Sequence, residues 1–254
     1  MIYVAEQGSV QSVERTFKLI EILSKKKEMS IKDMSDKSGL HKATVHRLIN
    51  TLVSLGYVAK NEQNEHYALS PKLLRVSSRF LEHFDIREQV RPLLEKLSKD
   101  CGETVHLVER NGKNVVYIDK FEAPKSSIRM VSRIGMSQPM PITAVGKAIL
   151  AELEEDEIFS VWEKCTINKR TENTITDYDK LMKEIEKIRA VGYSVDNEEN
   201  EIGVFCIAAT LPKVGDNPAY AFSISAPIQR ADEETVKKNI GHLLEAKAKI
   251  CEVL

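Results

Sequence analysis

Two groups of side chains have the types and spacing for recognition chemistry. The first is the run His41-Lys42-Ala43-Thr44-Val45-His46-Arg47. If it opens a helix whose inward stripe is Val45, Leu48, Ile49 and Leu52, the 100° step per residue turns Ala43, His46, Arg47 and Asn50 the other way. Outward side chains near the start of a helix laid in the major groove are the ones that reach base edges. Arg47 then pairs bidentately with guanine or clamps a phosphate, and Lys42 and Thr44 suit phosphate oxygens. Lys60, on the hairpin that follows, is within reach of a neighbouring phosphate. Taken singly, each of these residues fits the solvated face of a surface helix better. Only the order of elements around them reverses that preference.

The second group lies in the C-terminal half. Met140-Pro141-Ile142-Thr143-Ala144-Val145-Gly146-Lys147 runs from a loop into a helix start, where free backbone N–H groups and the helix dipole favour a carboxylate. Ser223 and Ser225 alternate on one strand and so face the same side of a sheet. Cys206 sits in an otherwise apolar strand. Two readings stand open here. The residues converge on a small ligand, or Thr143 and Gly146 only shape a helix end, the serines satisfy backbone and Cys206 is a small core residue.

Catalysis finds little support. A nucleophilic Cys206 needs a lowered pKa and a base within reach. Of the six histidines, His41, His46 and His66 belong to the first domain, and His83, His106 and His242 fall in no recognisable catalytic motif. GxSxG, HExxH, P-loop and GxGxxG patterns are missing. Asp196 beside Glu198-Glu199 suggests acid–base chemistry or a cation site, but acidic surface turns are common. Cys101, Cys165, Cys206 and Cys251 are scattered without a CxxC pair, which suits reduced thiols. Cys101 and His106 lack the second pair that a zinc site needs. The expectation is no enzyme, no metal and no cofactor. A purely architectural DNA-binding protein is a third possibility, but its DNA contacts would need only the first ~70 residues.

Composition agrees with this. The chain of 254 residues is 42% hydrophobic and 30% charged, as in a globular protein of one large or two ordinary domains. The net charge of −1 hides an asymmetry: residues 1–80 carry 13 Lys+Arg against 8 Asp+Glu, and the remainder 24 against 30. A basic first third suits a phosphate-binding surface, whereas the acidic remainder does not. No apolar run approaches the ~18–20 residues that span a bilayer, and Met1-Ile2-Tyr3-Val4-Ala5-Glu6 is unlike a secretory leader. A cytoplasmic protein that makes no membrane contact is expected.

The elements that must position these residues follow from periodicity. Residues 12–24 read as a helix with Val13, Phe17, Ile20 and Leu23 on its apolar face and Ser12 as its cap. Ser30 and Asp33 form a capping-box pattern opening a helix that ends near Ser38-Gly39, with Ile31 and Met34 inward. A helix over 41–54 comes next, then strands 57–60 and 66–69 around a polar tip at 61–65. That order is a winged helix-turn-helix over 9–70. Pro71 opens a linker helix over 71–84, its seam made by Leu73, Leu74, Ser77, Phe80 and Leu81. Residues 85–254 form an α+β domain. It has helices at 87–99, 143–153, 177–191 and 232–253, and strands at 103–109, 114–121, 127–132, 204–211 and 219–225, with Asn111-Gly112 as a hairpin turn.

Several strings together resemble the IclR-type bacterial transcriptional regulators. They are Ser12-Val13-Glu14-Arg15; Ser38 through Leu48; Leu52, Gly56-Tyr57 and Tyr67-Ala68-Leu69-Ser70; Ala144 through Ala148; Gly192 through Glu199; and Gly203 through Ala209. The resemblance spans nearly the whole chain. It departs at His41, where the family often has proline, which leaves helix geometry intact but bears on sequence preference. The resemblance implies a GAF/PAS-like effector-binding domain whose pocket is formed by Ala144, Val145, Asp196, Cys206, Ser223 and Ser225, with Met130 as an apolar wall. Two backbone amides would hold a carboxylate, and Asp196 would accept from a hydroxyl, since a second carboxylate there is repelled. A keto, hydroxy or sugar acid is the implied effector. A double-stranded DNA operator, repression, a homodimer made through the N-terminal helix and the 71–84 seam, and a homotetramer of two dimers complete the expectation.

Overall fold

The computed structural model describes residues 10–82, 85–122, 132–212 and 219–254. The chain divides into two units, Met1–His83 and Phe84–Leu254.

In the first unit, α1 (Gln11–Ser24), α2 (Ile31–Ser38) and α3 (Lys42–Ser54) precede the hairpin β1 (Val58–Lys60) and β2 (Tyr67–Leu69), and α4 (Lys72–Glu82) closes it. The α2 start is the expected capping box. Ser30 Oγ accepts from Asp33 N–H at 3.1 Å, and the Asp33 carboxylate accepts from Ser30 N–H at 3.4 Å. The helix stops at Gly39, whose φ of +72° only glycine adopts freely. The α3 stripe Val45, Leu48, Ile49 and Leu52 is buried with Leu19, Met34, Val58 and Tyr67.

Helix α1 departs from expectation. Of its expected face, Leu23 is buried and Ile20 half-buried, but Val13 and Phe17 are exposed, and Leu19 and Ile22 enter the core in their place. The helix carries two apolar stripes, and α2 and α3 cover the one on its C-terminal half. Its cap is Val10, with no side-chain bond, instead of Ser12. On α4, Leu73 is half-buried while Leu74 and Ser77 are exposed; the side chains of Phe80 and Leu81 lie outside the described residues.

The second unit is built on a six-stranded antiparallel sheet in the order β5-β4-β3-β8-β7-β6. Its strands are β3 (Thr104–Asn111), β4 (Asn114–Phe121), β5 (Ser137–Pro139), β6 (Ser194–Asn197), β7 (Val204–Thr210) and β8 (Tyr220–Pro227). Helices α5 (Asp85–Cys101) and α9 (Glu233–Val253) cover one face, where Leu94, Leu97, Val105, Leu107, Phe222 and Leu243 pack together. Helices α6 (Ala144–Ala151), α7 (Glu155–Lys164) and α8 (Tyr178–Val191) cover the other through Ile149, Leu150, Val161, Leu181 and Ile185. A sheet covered on both faces buries both sets of side chains, and β8 is buried along its whole length.

Three elements were not anticipated, and one expected strand falls outside the described residues. The strand expected at 127–132 lies outside the described residues apart from Ser132, which is not in a strand. Helix α7 and the short strands β5 and β6 were not anticipated. The α7 helix starts on three consecutive acids, Glu155, Asp156 and Glu157, which favour a helix N-terminus electrostatically but form no apolar stripe. The β3–β4 turn occurs as expected, with Asn111 opposite Asn114 and Gly112 at φ +61°. Among the described residues, no helix is long and apolar enough to cross a membrane.

Candidate functional site

Burying Val45, Leu48, Ile49 and Leu52 leaves the opposite face of α3 to solvent. Lys42, Ala43, His46, Arg47 and Asn50 are exposed there, and Thr44 is half-exposed. Asn50 Nδ2 lies 3.3 Å from His46 Nδ1, one turn away on the same exposed face. On the hairpin, Lys60 donates to Glu65 at 2.8 Å, an exposed pair that a phosphate would compete for. Asn61 and Asn64 at the tip donate to Glu28 at 3.2 and 2.7 Å. The hairpin is thereby tied back to the segment between α1 and α2.

In the second unit a cleft of about 610 Å³, open to solvent, lies on the α6 face of the sheet. Register explains which side chains reach it. Asp196, Cys206 and Ser225 are cross-strand neighbours on β6, β7 and β8, and Ala208, Ser223 and His106 form the row two residues away. Side chains opposite one another in antiparallel strands share a face. The N-terminal residues of α6, Ala144 and Val145, form a second wall. Six of the seven expected effector residues therefore border one cavity; Met130 lies outside the described residues.

The helix-shaping reading of this segment also holds. Thr143 Oγ1 accepts from Gly146 N–H at 3.1 Å, and Thr143 O accepts from Lys147 N–H at 2.9 Å. A Cβ on Gly146 would stand 2.2 Å from the Met140 carbonyl oxygen, so only glycine lets α6 approach the preceding turn this closely. The same residues that cap α6 thus aim its first turn at the cleft.

Further residues line the cavity that sequence alone did not indicate. His106 is buried between two hydroxyls, with Nδ1 3.2 Å from Ser225 Oγ and Nε2 2.7 Å from Ser132 Oγ. Its ring meets Tyr117 edge-on at 5.2 Å. Burial, and secondarily the charge of Lys120, pushes the His106 pKa down to about 3, so the imidazole is neutral. Gln138, Asn200 and Glu201 stand around the same space. The period-2 pattern of β3 puts His106 on one face or the other, but only the β3–β8 register places it opposite Ser223.

The electrostatics are dominated by desolvation. Burial raises the Asp196 pKa to about 6, although its Oδ1 accepts from the N–H groups of Glu199 at 2.7 Å and Asn200 at 3.4 Å. Lys147 is wholly buried and bonds Glu199 at 2.5 Å. Burial pushes the Glu199 pKa up, and the charge of that lysine pulls it back down. Cys206 Sγ donates to Ser225 Oγ at 3.1 Å. Burial, reinforced by Asp196, raises its thiol far above the ordinary range. It is a protonated lining group, not an activated nucleophile. The four cysteines are free thiols, and no group of three or more His, Cys, Asp or Glu among the described residues is placed to hold a metal ion.

A winged helix-turn-helix with an exposed basic helix, in one chain with an α+β domain that opens a polar cleft, defines the class of two-domain transcription regulators. The chain matches the IclR helix-turn-helix domain over residues 12–62 and the bacterial transcriptional regulator IclR C-terminal domain over residues 78–252. It belongs to the IclR family, whose members are DNA-binding transcriptional regulators and not enzymes. It is 34% identical to the HTH-type transcriptional regulator KdgR of Escherichia coli, over 96% of this chain and 93% of that protein. It is also 34% identical to the DNA-binding transcriptional repressor YiaJ of Escherichia coli, over 91% and 82%. An IclR homolog from Microbacterium hydrocarbonoxydans, solved in complex with 4-hydroxybenzoate, shares the fold at a TM-score of 0.80 and 19% identity, covering 96% of this chain and 99% of that one.

Proposed function

We propose that this regulator is a repressor that binds its operator through α3 and the hairpin and answers to a small hydroxy, keto or sugar acid held in the cleft. The observation that carries the reading is the meeting of Ala144, Val145, Asp196, Cys206, Ser223 and Ser225 around one polar cavity. The first turn of α6 supplies N–H donors suited to a carboxylate. Asp196 and the hydroxyls of Ser223 and Ser225 suit a hydroxylated remainder. Lys42, Thr44 and Lys60 serve phosphates, and Ala43, His46 and Arg47 serve base edges. Repression accords with the name of the YiaJ relative, and an organic acid as effector, though not its aliphatic class, with the ligand of the Microbacterium homolog. Binding as a dimer, and as a dimer of dimers, would match α3 pairs to two half-sites. The exposed Val13 and Phe17 on α1 and Leu74 and Val76 on α4 are the surfaces we assign to that pairing.

The test is fluorescence anisotropy on the DNA upstream of the protein's own gene, against a scrambled duplex and over a salt series. It is then repeated with pyruvate, lactate, gluconate and 4-hydroxybenzoate. Selective binding with a steep salt slope, released by one of the aliphatic acids, supports the proposal. Release by 4-hydroxybenzoate alone removes the aliphatic-acid class, and equal binding to both duplexes under all conditions removes the operator reading.

A further inference from the structure

The cleft presents a charge problem to an acid. The charged side chains among its described lining residues are Asp196 and Glu201, both acidic. Lys147, the lysine buried among the described residues, is already committed to Glu199. A carboxylate entering this space needs donors, and the structure shows where they are set. Arg170 lies in the segment between α7 and α8. Its Nη1 donates to Gln138 Oε1 at 2.9 Å and also to Asn200 Oδ1. Gln138 and Asn200 both line the cleft.

A guanidinium only donates. Whatever faces it must be an oxygen, so the amide nitrogens of Gln138 and Asn200 occupy the other limb of each fork. The backbone of Arg170 is itself anchored. The N–H groups of Arg170 and Thr171 donate to Thr174 Oγ1 at 3.0 and 2.9 Å. The hydroxyls of Thr171 and Thr174 in turn donate to the carbonyls of Glu198 and Glu199 at 2.5 and 2.7 Å. The arginine is thus tied to the loop that carries Asn200 and follows β6, the strand on which Asp196 lies.

We propose that Arg170 is a positioning residue that orients Gln138 and Asn200 so that both present N–H2 donors to the mouth of the cleft, making this mouth the seat of the effector's carboxylate. The inference rests on the acid-effector reading and divides the cleft into two ends. The donor end comprises the two amides and the first turn of α6, with the guanidinium charge immediately behind. The opposite end, with His106, Ser223, Ser225 and Cys206, takes the hydroxylated or carbonyl part.

The experiment is calorimetric titration with acid–amide pairs: pyruvate and pyruvamide, lactate and lactamide, gluconate and gluconamide. The wild type binds the acid of at least one pair more tightly than its amide. Gln138→Glu keeps an oxygen for Arg170 but replaces the facing N–H2 with a second carboxylate oxygen. It is expected to weaken that acid by roughly tenfold or more, the scale of a hydrogen bond to a charged group, while the amide changes by less than about twofold. Arg170→Lys, which still donates, retains the preference for the acid, whereas Arg170→Glu turns the amides round and loses it. Unchanged acid preference in both Gln138→Glu and Arg170→Glu overturns this assignment and leaves the acid cleft standing. A wild type that binds none of the acids overturns both. An unaltered fluorescence spectrum of Trp162 and unaltered operator binding confirm in each variant that the fold is intact.

Discussion

Lys147 and Glu199, 52 positions apart in the chain, form a buried ion pair of 2.5 Å between the first turns of α6 and the loop after β6. It joins the two segments that supply Ala144, Val145 and Asp196 to the cleft. Removing one partner of a buried pair leaves an uncompensated charge, which costs about 3–5 kcal/mol, whereas replacing both with apolar groups is often near neutral. Lys147→Met is therefore expected to lower the stability of the second unit by that amount, and Lys147→Met with Glu199→Leu to recover most of it. Urea unfolding followed by the fluorescence of Trp162, the single tryptophan, reports this unit selectively. A double variant no more stable than the single one would refute the pairing as the source of the loss.

Two groups of the cleft titrate with opposite sign. Asp196 has its pKa raised by burial from 3.8 to about 6. Its contribution is fully present below pH 3.8 and is lost as pH rises to about 6, because the unfolded chain releases that proton first. His106 is lowered from 6.5 to about 3, so its contribution grows over pH 3 to 6.5. Relative to wild type, Asp196→Asn should gain stability between pH 4 and 6 by up to roughly 1.4 kcal/mol per pH unit, and His106→Gln should lose it at a similar rate. Denaturant midpoints of the three proteins across pH 4–7 check both slopes, and parallel profiles would contradict them.

On α3 the expected effects differ in kind. Arg47→Ala should cost about 1–3 kcal/mol on the operator and relax discrimination at one base pair. Lys42→Ala should weaken all duplexes about equally and reduce the magnitude of the salt slope by about one. Anisotropy titrations on operator and scrambled DNA separate the two. An Arg47→Ala protein with unchanged selectivity would assign that residue to phosphate contact or to none.

Ser223→Ala combined with Ser225→Ala removes two hydroxyls from the hydroxyl end of the cleft and leaves α3 untouched. Effector-induced release from DNA should be lost while operator affinity without effector stays within about twofold, since the two functions occupy separate units. Retention of the full response would exclude the serines from the site.

Local patterning was legible where the cause is local. The Ser30–Asp33 capping box, the Gly39 stop, the α3 stripe and the Thr143 cap on α6 each arise within a few residues, and each is found as expected. The α1 stripe was misplaced because its two apolar faces are equally periodic and only packing with α2 and α3 chooses between them. Helix α7 escaped notice because its opening run of three acids hides the short buried pair Ile158 and Val161, and β5 and β6 because, unlike β1 and β2 around their polar tip at 61–65, they are recognisable as strands only beside their partners.

The amino-acid sequence by itself determined a winged helix-turn-helix with an outward basic face, an α+β second domain and, through its resemblance to a family, six residues of a cleft. Hydrophobic period, caps and motif spacing are properties of neighbouring residues, so they survive without coordinates. Tertiary structure alone decided that His106 stands in the row with Ser223, that Lys147 and Glu199 neutralise one another, and that Arg170 holds Gln138 and Asn200. These depend on strand register and on loops that meet across tens of residues. Burial then sets the protonation of Asp196, His106 and Cys206, because a charge is penalised by the whole surrounding volume of protein and not by its neighbours in the chain.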